Sequence, residues 1–177
     1  MMLMQILIHT PLWVFALFLL LLWLGLRQLL TSQLKLSRVT LLPLAMVGLS
    51  LYGVASAFGR SPGGPSALAG WAVGVALLAA IVLLRPLPAG VRYDAARRRF
   101  IVPGSVVPLA LMMGIFFTKY VVGVKLALDP ALAQHADFAL VVGTLYGAFS
   151  GTFAARAARL WRLALRSEHP GALRPGV

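Results

Sequence analysis

Pro103-Gly-Ser-Val-Val-Pro-Leu-Ala-Leu-Met-Met-Gly-Ile-Phe-Phe-Thr-Lys-Tyr-Val-Val-Gly123 decides the fold class. From Ser105 the chain stays apolar for about 20 residues, the length a helix needs to cross ~30 Å of hydrocarbon. A single charge, Lys119, interrupts it. Four further runs share this character, at about residues 4–26, 39–59, 67–84 and 138–158. Hydrophobic residues make up 60% of the chain, against roughly 45–50% in soluble domains, and the mean hydropathy is +0.91. The pattern predicts an all-α fold: a polytopic membrane helix bundle of five transmembrane helices, forming a single membrane domain over residues 1–177.

Between the third and fourth runs lies the longest polar stretch, residues 85–104. Pro86, Pro88 and Gly90 stop the preceding helix. Val91-Arg-Tyr-Asp94 and Arg99-Phe-Ile-Val102 then read as two short strands around a turn that Asp94 opens, a short β-hairpin-like loop. The hairpin is expected to lie on the membrane surface, with Tyr93 and Phe100 near lipid headgroups and Arg97, Arg98 and Arg99 facing phosphates. Beyond the fifth run the helix continues with Arg156, Arg159, Arg162 and Arg166 along one face. Residues 167–177 read as a flexible tail.

The 16 Lys and Arg and only four acidic residues give a formal net charge of +12. Thirteen of the basic residues fall in the linkers on one side of the five spans and only two, Arg60 and Lys125, on the other. Positive loops stay in the cytoplasm. The charge is therefore a topology signal and not a nucleic-acid footprint. It predicts the N-terminus outside, the hairpin loop and C-terminus in the cytoplasm, and membrane lipids as partners. The chain has no cysteine, which excludes disulfides, thiolate chemistry and Cys-ligated metals. The spans hold no carboxylate pair and no Ser–His–Asp grouping, so no enzyme activity is expected.

Lys119 is the first candidate for a function. A lysine at the centre of a span costs about 2.5–3.5 kcal/mol on insertion scales. It either snorkels to the outer interface or receives an anionic ligand, with Thr118, Tyr120, Tyr52 and Tyr146 as polar neighbours. Gly143, Gly147, Gly151 and Ala155 form a small-residue ridge at spacing four, and Gly70 and Gly74 a shorter one. Such ridges let helices approach closely, either within the chain or between two copies or membrane partners. Leu51-Tyr-Gly-Val-Ala-Ser56 and Leu145-Tyr-Gly-Ala-Phe-Ser150 share L-Y-G-x-x-S. That is either chance or a trace of an inverted repeat. His9 and His135 fall on the outer side. They are weak metal or haem candidates with no local ligand motif, so no cofactor is expected.

The segments Arg92-Tyr-Asp94, Arg99-Phe-Ile-Val-Pro-Gly-Ser-Val-Val-Pro-Leu109 and Phe116-Phe-Thr-Lys-Tyr-Val-Val-Gly123, with His9-Thr-Pro-Leu-Trp13, resemble a family of uncharacterised bacterial inner-membrane proteins. The resemblance covers nearly the whole chain and implies a bacterial inner (cell) membrane protein, with no activity to carry over. Three roles stay open: a small transporter-like or anionic-ligand or lipid-binding protein; a membrane assembly or regulatory subunit that packs through the ridge; and, third, a haem- or metal-binding membrane protein using His9 and His135.

Overall fold

The computed structural model describes residues 11–94, 97 and 99–168, apart from the side chains at 32, 36, 38, 42 and 168. Five α-helices dominate: α1 (Leu12–Arg27), α2 (Leu36–Phe58), α3 (Gly64–Leu84), α4 (Val106–Leu128) and α5 (Ala136–Glu168). The last four are long and apolar enough to cross a membrane. The described part of α1 has 16 residues, about 24 Å at 1.5 Å per residue. Its expected start near residue 4 lies outside the described residues, as do His9, Arg98 and most of the expected tail.

Local chemistry sets the helix ends. Ser105 caps α4, its hydroxyl accepting the Val107 N–H at 3.2 Å. Asp129 closes α4 and starts a 3₁₀ turn, Pro130–Gln134, by accepting the Ala131 N–H at 3.1 Å. Pro65 sits in the first turn of α3, where its missing N–H costs nothing.

The tightest packing joins α3 and α5. A Cβ added at Gly143 or Gly147 would stand 2.0 Å from the carbonyl oxygens of Ala67 and Trp71, and one at Gly151 2.4 Å from that of Val75. The fit is reciprocal: Cβ atoms at Gly70 and Gly74 would meet the carbonyls of Leu140 and Thr144 at 2.4 and 2.3 Å. Each helix lays its glycines against the other's backbone, and Ala155 continues the seam, 2% exposed. In this chain the ridge therefore faces a neighbouring helix of the same molecule.

The partner numbers rise together, so α3 and α5 run parallel. By contrast α2 runs against α5, with Ser50 at Tyr146 and Phe58 at Phe138. The α1–α4 pair is also antiparallel, with Gly25 at Leu109 and Phe18 5.4 Å from Phe116. Chain direction alternates from helix to helix. One end of the bundle collects the polar loops with Arg85 and Arg99; the other collects Arg60, Lys125, Asp129 and Asp137.

At the first end lies a three-stranded antiparallel sheet in the order β1-β3-β2, with β1 Ser32–Lys35, β2 Arg92–Asp94 and β3 Arg99–Val102. The expected hairpin is β2–β3, in register Tyr93 with Phe100. The strand β1, drawn from the linker after α1, was not expected. It has four residues and one apolar side chain, Leu34, too short for a period to register. It pairs with the free edge of β3, placing Leu34 opposite Phe100.

The sheet also corrects one expectation. Phe100 is not at the headgroups but fully buried, in a cluster with Val39 of α2 and Ala164 of α5, flanked by Leu34, Tyr93 and Trp161. The cause is the length of α5. Its 33 residues span ~50 Å, well beyond the ~30 Å of a bilayer core. The overhang gives the sheet a surface to pack on. The Trp161 indole donates to Thr40 Oγ1 at 3.0 Å and ties the overhang to α2.

Candidate functional site

Lys119 lies 13 residues into α4, about 20 Å along the axis, past the middle of the helix. Its ammonium is 5.7 Å from the centre of the Tyr146 ring on α5, within the ~6 Å range of a cation–π attraction. On the α2 side it meets Gly53. A Cβ there would sit 3.4 Å from Nζ and 3.3 Å from the tyrosine ring. The missing side chain leaves room for the amine, so Lys119 occupies a junction of α2, α4 and α5.

Tyr146 is held there by its own helix. Ala139, Val142, Tyr146 and Ser150 recur at spacings of three and four and form the buried face of α5, packed with Val54 and Phe58 of α2 and Val122 of α4. A chain of polar contacts runs beside the ring. The Trp71 indole of α3 donates to Ser50 Oγ at 3.0 Å. Ser50 of α2 donates to the Tyr146 carbonyl at 3.1 Å, and Ser150 donates to the same carbonyl at 3.0 Å. In hydrocarbon such bonds average about 0.6 kcal/mol each. They fix the rotation of three helices around the tyrosine. Ser50 and Trp71 were missed from the sequence; a serine inside an apolar run was the available signal, but nothing there named its partner.

The other expected neighbours have surroundings of their own. Consecutive residues point about 100° apart around a helix. Tyr120, next to Lys119, stacks on Phe116, with centroids 6.3 Å apart and planes 6° from parallel. Tyr52, next to Gly53, is 72% exposed. It lines an open groove of about 530 Å³ with Ala55, Ser56, Ala57, Arg60 and Ser61. Thr118 is half-buried on α4. The two L-Y-G-x-x-S copies thus sit in unlike surroundings: Tyr52 is exposed and Tyr146 buried, while Gly53 meets the lysine and Gly147 the Trp71 backbone.

Among the described residues no carboxylate lies close to Lys119 along its helix or that of Tyr146. Asp129 is ten residues further along α4 and Asp137 nine residues before Tyr146 on α5, roughly 15 and 13 Å along their helices. His135 is exposed at the end of the 3₁₀ turn. Among the described residues no group of three His, Cys, Asp or Glu side chains could hold a metal. At the sheet end Arg97 is exposed, its backbone N–H donating to Asp94 at 3.1 Å, and Arg99 donates to Gln33 at 3.2 Å.

The chain belongs to a family of unknown function, DUF6622, whose model matches residues 1–170. No curated protein matches it, and no solved structure matches it.

Proposed function

We propose that the chain is an integral membrane protein of the bacterial inner membrane, with its sheet in the cytoplasm. It binds an anionic, lipid-like ligand at Lys119 and is not an enzyme. The observation that carries this reading is the seat of Lys119: an ammonium against Tyr146 and Gly53, with no carboxylate within ~13 Å along either helix. A charge in that position is costly unless something neutralises it. The groove of about 530 Å³ is lined by Tyr52 and Arg60 and not by Lys119. Lys119 is nonetheless exposed at the surface of the bundle, within an apolar helix. An anion reaching it therefore comes sideways from the lipid, which selects an amphiphile with an acidic head over a small soluble solute.

The test uses oleate as probe and its methyl ester as uncharged control, read by native mass spectrometry of the protein released from detergent. The wild type is expected to retain oleate over the ester. Lys119→Met keeps the volume and removes the charge, and should weaken retention at least about tenfold, since a hydrogen bond to a charged group contributes ~1.5–3 kcal/mol. Equal oleate retention by the two proteins would remove Lys119 from the site.

A further inference from the structure

Arg156 and Arg159 lie one helical turn apart on α5, where it leaves the apolar bundle, and both are half-buried. The Arg159 guanidinium donates to the carbonyl of Pro86, in the loop that follows α3. Its position is therefore fixed by the backbone and not by an acid. Among the described residues the carboxylates lie elsewhere. Asp129 and Asp137 are at the opposite end of the bundle. Asp94 caps its own turn, accepting the Arg97 N–H at 3.1 Å.

Depth gives the second observation. From Asp137 to Arg156 is 19 residues of continuous helix, about 28 Å, which matches a hydrocarbon core of ~30 Å. If Asp137 marks one interface, Arg156 reaches the phosphate level of the other. Beyond it, Ala157, Leu160, Trp161 and Ala164 turn to the sheet. The sheet braces this part of α5 so that the two guanidiniums stay at the membrane boundary. Arg162 and Arg166 lie further out and are exposed.

We infer that Arg156 and Arg159 form a binding site for the phosphate of an anionic phospholipid, on the sheet side of the bundle. Two neighbouring guanidiniums repel one another, and a phosphodiester bridging them relieves that repulsion with paired charge-assisted hydrogen bonds. The inference rests on the membrane reading but is independent of Lys119. The full chain is purified in a neutral detergent and offered phosphatidylglycerol or phosphatidylcholine, with retention read by native mass spectrometry and thermal stabilisation by circular dichroism. The wild type should prefer phosphatidylglycerol. R156Q/R159Q should reduce that preference at least about tenfold, whereas R162Q/R166Q and Lys119→Met should leave it intact. R156K/R159K, which keeps charge and stem but loses the planar fork, should fall in between, and it stands in if the glutamine pair does not fold. Retention unchanged in R156Q/R159Q, or lost equally in R162Q/R166Q, would overturn the site. Displacement of the lipid by millimolar inorganic phosphate would overturn it in favour of a soluble anion. A wild type that retains neither lipid would overturn the membrane reading and the site together.

Discussion

Gly147→Leu is expected to unfold the α3–α5 pair. The added Cβ alone would stand 2.0 Å from the Trp71 carbonyl oxygen and 2.8 Å from its carbon, and these are backbone atoms that no rotamer change can move aside. Overpacking in cores costs about 1–3 kcal/mol and occasionally more. A clash with backbone belongs at the upper end or above it, so a loss of at least ~3 kcal/mol follows. For a chain of this size each 1 kcal/mol moves the midpoint by roughly 2–4 °C. The thermal midpoint in detergent, followed by circular dichroism, should therefore drop by about 6–12 °C or more. Gly123→Leu is the control, because no atom lies within 4 Å of a Cβ at Gly123, and its midpoint should stay near that of the wild type. If the two variants behaved alike, the seam would not hold the bundle together.

Phe100→Ala should act strongly but locally. Removing a fully buried phenylalanine costs about 3–5 kcal/mol, and a small three-stranded sheet has little else to hold it. The ring carries the contacts to Val39 and Ala164 and packs 4.8 Å from Tyr93. Its loss should free the sheet from the α5 overhang while the separate cluster of Val54, Phe58, Val142 and Tyr146, which Phe100 does not join, stays folded. Hydrogen exchange locates the effect: amides of Arg99–Val102 should lose protection at least about a hundredfold, a loss of ~2.7 kcal/mol or more, and those of residues 143–151 should hardly change. Uniform loss across both segments would mean that the sheet and helices unfold as one unit.

Much of the fold was legible because a membrane helix declares itself by length and hydropathy. The apolar runs, the hairpin at residues 92–102 and the glycine ridge all stood in the sequence. What was hidden is rotation. Hydropathy reports that Tyr52 and Tyr146 both lie in apolar helices, but the azimuth of each depends on how neighbouring helices interlock. The glycine seam sets that azimuth for α5, and the Trp71–Ser50–Tyr146 contacts set it for α2. Lys119 could therefore be singled out beforehand, while its partner could only be guessed among three tyrosines. The strand β1 was hidden for another reason. Ser-Gln-Leu-Lys carries almost no strand preference of its own and becomes a strand because β3 offers it an edge. Phe100 was misplaced because the continuation of the fifth helix, though readable, does not show that the sheet folds back onto it.

The central claim is that the Lys119 ammonium meets an anionic head reaching it from the lipid. The most direct measurement is an experimental structure of the protein in lipid nanodiscs containing oleate, at a resolution that shows the lysine side chain. The expected result is an acidic headgroup within hydrogen-bonding distance of Lys119 Nζ, beside Gly53 and Tyr146, with its chain running along the outside of the bundle. The contradicting result is Lys119 extended toward Asp129 or Asp137 at the interface, with only hydrocarbon beside Tyr146.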